Sequence, residues 1–336
     1  MISKSKIDKI GEKIKRRQEL SKTEGAILLT WRNSFFNTLE AYHRRVREKI
    51  DMETVISVGK RIKRIPSIHT KLKNSDSLRL STMQDIAGLR VVLKNQVSLY
   101  EAVSIIRSSK TKNILKKVND YHSVPKENGY RSTHLIFLSV KDDRLIEIQF
   151  RTELEHIWAT AVEVYGTIQL TSFKTGEGGE DWKEFFKLLS SYFAIYESSP
   201  VLESHKNDSF AAISSRLKKY INKLKVIEVL AASTKGIDTV VKSHSRGKLG
   251  RFALIELDTK KEVTSIEVFN KNEVSEAIRL YTLRELEIQN DSSKNLVFAN
   301  IESVESLQLA YPNYFLDTDK LLKILGKIRL GQKIIG

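Results

Sequence analysis

Between Ile146 and Arg151 polar and apolar side chains alternate, with Glu147, Gln149 and Arg151 set against Ile146, Ile148 and Phe150. Successive side chains of a strand point to opposite faces. The spacing therefore predicts one face turned to a core and another carrying a carboxylate, an amide and a guanidinium in a row. Such a row is a poor lid for a core, but it suits a site for a phosphorylated ligand and its metal. A polar loop lies just upstream, from Asp120 to His134, punctuated by Pro125 and the Asn128-Gly129 turn signal. It presents Tyr130 and Arg131 ahead of the apolar run Leu135–Val140, which reads as a buried strand.

Two other stretches carry charge where a bland sequence would not. Met83 to Leu93 reads as a central strand, with Asp85 at its entrance and Arg90 inside it. A charge in a buried strand needs a partner; pairing to a neighbouring carboxylate is the structural alternative to a ligand role for Arg90. The run from Lys60 to Lys73 is strongly basic. Pro66 suits the first turn of a helix, where Ser67 and nearby amides could face a phosphate at the positive end. Lys71 follows Ser67 by four residues, on the same helical face, and Arg61 and Lys63 share a face if their segment is extended. The alternative is a basic surface turn.

The elements that must hold these groups follow from apolar periodicity. Residues 4–20 predict a charged surface helix with sparse Ile7, Ile10 and Ile14, and the stripe from Leu28 through Trp31, Phe35, Leu39, Tyr42 and Val46 to Ile50 predicts a firmer one. Residues 97–108 predict a helix and Ile114–Val118 a strand. Helix 152–165 buries Leu154, Ile157, Trp158, Ala161, Val162 and Tyr165, with His156 beside the stripe as a structural histidine. After Gly176–Gly179 come an aromatic helix, Trp182 to Tyr196, and a long helix over about 204–231. A change of composition at Lys235-Gly236 opens a ββαβα tail: a hairpin of Phe252–Leu257 with Val263–Phe269, a helix capped by Asn270 and Glu273, a strand Asn295–Ile301, and short helices around Ala310–Phe315. The expected class is α+β, a mixed sheet flanked by helices plus that small tail.

Composition narrows the chemistry. The 336 residues contain no cysteine, which excludes disulfides, thiolate zinc sites and thiol nucleophiles. The start is no signal peptide, and no apolar run approaches the ~20 residues that span a bilayer, so a soluble, cytoplasmic protein is expected. The net charge is +16, and residues 1–120 hold 27 Lys and Arg against 12 Asp and Glu, whereas the rest hold 30 against 29. That asymmetry is either a solvated helix surface, including His43, Arg44, Arg45 and Arg47, or a footprint for polyanions such as nucleotide triphosphates and RNA. No Ser–His–Asp triad, zinc motif or Walker A motif is present.

Over residues 50–165 the chain resembles the RelA/SpoT synthetase family, makers of the alarmones ppGpp and pppGpp. Four ordered motifs carry the resemblance: Arg61-x-Lys63-x-x-x-Ser67-x-x-x-Lys71, Asp85-Ile86-Ala87-Gly88-Leu89-Arg90, Pro125-Lys126-x-Asn128-Gly129-Tyr130-Arg131-Ser132-x-His134, and Glu147-x-Gln149-x-Arg151-Thr152. The resemblance implies a nucleotidyltransferase-like fold and transfer of the β,γ-pyrophosphate of ATP to a ribose 3′-hydroxyl. It implies that Arg61 stacks on adenine while Lys63, Ser67, Lys71 and Arg90 surround the triphosphate. Asp85 and Glu147 hold Mg²⁺, with Glu147 also helping to deprotonate the hydroxyl. Tyr130 stacks on the acceptor base, with Lys126, Arg131, His134 and Gln149 nearby. Phosphoryl-type transfer asks independently for such groups, because positioning and charge neutralisation dominate it. Mg²⁺ favours one or two carboxylates plus phosphate oxygens.

No upstream hydrolase motif is seen, so alarmone hydrolysis is not expected, and the chain is similar to the short stand-alone synthetases. Its tail resembles the cysteine-free pseudo-zinc-finger domain of CapRel-type fused toxin–antitoxin proteins. This implies a synthetase domain over 1–170, a helical extension over 171–235 and a restraining antitoxin domain over 236–336. It also implies a toxic enzyme of phage defence that modifies the 3′-CCA end of tRNA and is released by a phage protein; GDP or GTP is the alternative acceptor. The tail is expected to act as a brake by covering the donor site. The reading requires Asp85 and Glu147 to meet over one ion.

Overall fold

The computed structural model describes residues 2–168, 178–234, 238–243, 252–258, 260–261, 263–288, 291, 293–300 and 318–334. Its first part is a five-stranded sheet in the order β1-β2-β5-β4-β3, formed by β1 (Val55–Ile62), β2 (Ala87–Leu93), β3 (Ile114–Asp120), β4 (Thr133–Ser139) and β5 (Arg144–Thr152). The β2–β5 pair is parallel and the other three are antiparallel, so the sheet is mixed and the α+β class is observed. The alternation in β5 works as the sequence dictates. Ile146, Ile148 and Phe150 are fully buried and pack with Leu89, Val91, Leu135 and Phe137 against α1 (Lys4–Lys15), α2 (Lys22–Asn33), α3 (Phe36–Lys49) and α5 (Gln96–Ser108).

Three helical expectations need correction. Helix α1 is not a mere surface rod, because its three isoleucines are buried in that core. It also stops at Lys15, with Arg17 at φ +57°. The stripe from Leu28 to Ile50 is two helices, not one. The hydroxyl of Ser34 donates to the Trp31 carbonyl at 2.6 Å, a local bond that competes with the helical ladder. The long helix over 204–231 is likewise broken, into α8 (Phe210–Lys223) and α9 (Val226–Thr234), with Lys225 at φ +49° between them.

The second sheet, in the order β6-β8-β7-β9, comprises β6 (Asp238–Ser243), β7 (Phe252–Asp258), β8 (Val263–Phe269) and β9 (Lys294–Asn300). The expected ββαβα order omits β6, which pairs parallel to β8; a six-residue run with only two adjacent valines carries no clear strand period. The Ala310–Phe315 segment lies outside the described residues. One face of this sheet, Ala253, Ile255, Leu257, Ile266 and Val268, joins a core with α6 (Glu153–Ile168), α7 (Glu180–Tyr196), α8 and the last helix, α11 (Asp319–Leu330). The other face is covered by α10 (Val274–Glu287) through Ala277 and Tyr281.

The tail meets the first sheet through a clasp. Strand β9 packs beside β1, and Phe298 meets Phe36 edge-on at 5.3 Å. Glu285 of α10 takes the Arg32 guanidinium on one oxygen and the Ile65 amide, at 2.7 Å, on the other. Ile65 opens helix α4 (Ile65–Lys73), so a carboxylate sits at its positive end. Arg32 is wholly buried, its guanidinium 5.0 Å from the Tyr281 ring centroid. Removing one member of a buried pair strands the other charge. Glu285→Ala is therefore expected to destabilise the protein by about 3–5 kcal/mol in urea unfolding. The double variant Arg32→Met with Glu285→Leu should recover part of that loss; equal instability of the two would contradict the clasp.

Candidate active site

Register, more than any loop, assembles the polar face. Cross-strand partners share a side of the sheet, and here they form two rows: Arg61–Gly88–Glu147–Ile136 and Gly59–Arg90–Gln149–His134. Residues scattered over 90 positions of sequence thus become neighbours on the face opposite the aliphatic core. Gly88 matters for what it lacks. A Cβ there would lie 3.7 Å from Arg61 Cγ and 3.8 Å from its Nε, so the Arg61 side chain lies across the bare backbone.

On the donor side, Asp85 sits in the turn before β2 and its Oδ2 accepts from Lys63 at 3.0 Å and Lys71 at 2.9 Å. Burial alone would raise this carboxyl, but the two ammonium groups hold it down at about 2. Lys63 is itself pushed below its ordinary value, since burial outweighs the pull of Asp85. Arg90 is pushed down to about 10 by burial and by the nearby Arg151 charge, and its Nε is buried without a partner. Among the described residues the two lysines share one carboxylate and the Arg90 Nε has no partner, so the cradle has donors left for a further anion. Ser67 lies partly exposed on the first turn of α4, behind Pro66.

The acceptor side is a closed ring of hydrogen bonds. Glu147 Oε1 meets His134 Nδ1 at 2.8 Å, and His134 Nε2 meets the Tyr130 hydroxyl at 2.7 Å. Arg151 donates to that hydroxyl at 2.9 Å and to Gln149 Oε1 at 3.3 Å, and Gln149 Nε2 returns to Glu147 Oε2 at 2.6 Å. Burial would raise both Glu147 and Tyr130. Glu147 nonetheless stays below its ordinary value because of His134, and Tyr130 falls to about 7 because of Arg151 and His134. His134 is raised, Glu147 outweighing the effect of burial. Lys126 reaches over the rings of Tyr121, at 4.7 Å, and Tyr130, at 5.3 Å. Gly129 has φ +95°, and a Cβ there would meet Ser190 Cβ at 2.9 Å and Trp158 at 3.0 Å, which is why the loop turns on a glycine.

The structure thus brings together Asp85 with Lys63 and Lys71, Arg61 with Gly88 beside Glu147, and Glu147 with His134, Gln149 and Tyr130. Arg131 goes elsewhere: its Nε donates to Ser190 Oγ of α7 at 3.1 Å, and its charge faces Glu155 and Glu197. Sequence reasoning missed Tyr121, whose ring meets His134 edge-on at 5.3 Å; an aromatic at the loop's entrance was the available signal. His156 is buried in α6 and takes no part in these bonds.

A Mg²⁺ ion fits these donors. Asp85 Oδ1 is buried with no partner, and Glu147 feels the Asp85 charge through space. Each carboxylate has about four lone-pair directions, so two hydrogen bonds do not exhaust Glu147. Both are hard oxygen donors, the kind Mg²⁺ takes together with phosphate. Among the described residues no cluster of three or more His, Cys, Asp or Glu forms a self-sufficient metal cage, and no helix is long and apolar enough to cross a membrane.

Residues 60–166 match the family model described as "Region found in RelA / SpoT proteins". A guanosine-3′,5′-bis(diphosphate) 3′-pyrophosphohydrolase of Borreliella burgdorferi is 36% identical over 106 residues, 32% of this chain and 15% of that protein. A GTP pyrophosphokinase of Haemophilus influenzae is 28% identical over 206 residues, 60% of this chain and 26% of that one. The chain therefore spans about a quarter or less of the length of these curated relatives. Among solved structures, small alarmone synthetase 1 of Bacillus subtilis bound to pppGpp aligns with a TM-score of 0.43 at 24% identity, covering 49% of this chain and 90% of that one.

Linkage gives Asp85 a measurable signature. Its folded carboxyl lies below the ordinary 3.8, so its contribution to stability is complete above about pH 4 and is lost as pH falls through about 2. Urea midpoints measured from pH 7 down to pH 2 should show a shallower acid limb for Asp85→Asn than for the parent protein.

Proposed function

We propose that the protein is an ATP-dependent pyrophosphokinase of the RelA/SpoT type. The observation that carries this reading is the pair of acids, Asp85 in the turn before β2 and Glu147 on the polar face of β5, lying between the Lys63–Lys71–Arg90 cradle and an aromatic, hydrogen-bonded pocket. In the reaction the ribose 3′-oxygen bonds to the β-phosphorus of ATP, the bond from that phosphorus to the α–β bridging oxygen breaks, and AMP leaves. Lys63, Lys71, Arg90 and Ser67 bind and orient the triphosphate, and Arg61 lies where adenine can stack. Glu147, ionised at neutral pH, accepts the hydroxyl proton, a contribution of roughly 10²–10⁴-fold. His134 and Gln149 hold that carboxylate in place, while Tyr130, Tyr121 and Lys126 receive the acceptor base. Asp85 and Glu147 would hold Mg²⁺, which when bound would supply neutralisation of phosphate charge.

For the acceptor we favour the 3′-CCA end of tRNA. The supporting observation is the excess of positive charge in residues 1–120, where Arg44, Arg47 and Lys49 of α3 and Lys116 and Lys117 of β3 are exposed. A polynucleotide needs such an approach surface beyond the pocket. The second reading, GDP or GTP as acceptor and (p)ppGpp as product, is supported by the naming of a relative as a GTP pyrophosphokinase. With ATP labelled at the γ-phosphate, label is expected in deacylated tRNA, with AMP released in a magnesium-dependent manner and Glu147→Gln inactive. Label in GDP or GTP alone would establish the alarmone reading, and absence of AMP release would remove both.

The tail, about 236–336, is the proposed brake of a self-restrained toxin, released when a phage protein binds it. Support comes from where it docks. Arg64 donates to Asn295 of β9 at 2.7 Å, one residue beyond Lys63, and Glu285 occupies the first amide of α4. Asn295→Arg places two guanidinium groups together at that contact. Its expression should be toxic to cells, and adding Glu147→Gln should abolish the toxicity; a harmless Asn295→Arg enzyme with undiminished turnover would count against restraint by the tail.

A further inference from the structure

Arg151 is the one member of the polar row on β5 without a role so far. It is 4% exposed, yet among the described residues no carboxylate bonds it directly: Glu155 and Glu163 act on it through space. Its NH2 donates to Tyr130 and to Gln149, its guanidinium carbon lies 5.1 Å from the Tyr130 ring centroid, and its Nε and NH1 are buried with no partner. An arginine kept for stability is ordinarily matched by an acid. This one is committed instead to the two side chains that flank Glu147.

The chemistry of the guanidinium gives that placement a direction. Arginine only donates. Facing Gln149 it selects the amide oxygen, and the amide nitrogen must then turn to Glu147. Facing Tyr130 it makes the phenolic oxygen an acceptor, so the shared proton lies on the line to His134. One donor-only group thereby fixes the sense of both arms of the ring. A glutamine in its place could accept as well as donate, which would let Gln149 flip and set its carbonyl oxygen against the Glu147 carboxylate.

The geometry points to Arg151 as the positioning residue of the acceptor side, aligning the Tyr130 ring and, through Gln149, the Glu147 carboxylate. This rests on the pyrophosphokinase reading for its kinetic consequence but not for its spectroscopic one. The groups facing the Tyr130 hydroxyl and ring are Arg151 of β5, His134 of β4, Tyr121 and Lys126 of the preceding loop and Trp158 of α6. Arg151 lowers the Tyr130 phenol more than His134 does.

The test uses the full chain as wild type, R151K, R151Q and Y130F. Tyrosinate absorbance of the substrate-free proteins should show one phenol titrating near neutral pH in the wild type and none there in Y130F. In R151Q that transition should move upward, and R151K should retain most of it. In turnover with γ-labelled ATP and either GDP or deacylated tRNA, R151Q should lose about tenfold or more in kcat and gain about tenfold in acceptor KM, with ATP KM within about twofold of wild type. R151K should restore part of each. An R151Q titration identical to wild type, or equal rises in ATP and acceptor KM, would overturn the assignment. Should R151Q not fold, R151K decides: a transition and an acceptor KM both unchanged when the planar guanidinium becomes a point charge would equally overturn it. A wild type that titrates as expected but turns over neither acceptor would overturn the pyrophosphokinase reading and leave the arrangement around Arg151 standing.

Discussion

A sheet with one dry face and one charged face governs this protein. Burying Ile146, Ile148 and Phe150 fixes the register of β5, since a slip of one residue would send the whole apolar row outward. The same register turns Glu147, Gln149 and Arg151 to the far side, beside Gly88 and Arg90 of β2 and His134 of β4. The hydrophobic core thus does more than stabilise the fold: it aims the functional groups. A carboxylate carried on a loop would lack that enforcement, whereas Glu147 sits mid-strand in the sheet.

Charge on this face is arranged for a guest. Asp85 divides itself between two lysines and leaves one oxygen unpaired, while Arg90 and Arg151 are buried with unpartnered nitrogens. Such orphaned donors are costly in a closed protein, and neighbouring buried guanidinium groups repel each other. A polyphosphate relieves both penalties, because its oxygens accept from the donors and its charge screens the cations from each other. On the proposed reading, a donor nucleotide would complete this electrostatically unfavourable arrangement without any movement of the backbone.

What could be read from the sequence follows the same division. Strand alternation in β5 and the apolar run of β4 gave both faces, because a period of two is explicit in the residue order. The ring from Glu147 through His134, Tyr130, Arg151 and Gln149 was not visible, since it depends on register between strands as well as on order within one. Arg131 shows the opposite failure. Its neighbour Tyr130 enters the pocket, but adjacent residues leave a chain on different sides, and Arg131 turns to Ser190 and the Glu155–Glu197 pair. Helix breaks at Ser34 and Lys225 escaped because a continuous apolar stripe survives a local hydroxyl bond or one left-handed residue.

The tail contact follows from the charge pattern too. A helix that begins beside a cluster of cations presents free amides and a positive end, which attract any nearby anion. In α4 the first of those amides is taken by Glu285, a carboxylate that also neutralises the buried Arg32. The tail is thus fastened by an anion at the edge of a region built to hold anions. Because a carboxylate with a matched arginine is not easily displaced by salt alone, fastening of this kind resists ordinary ionic fluctuation. Beside the helix turn that carries Glu285, Leu283 and Leu286 of α10 stand exposed.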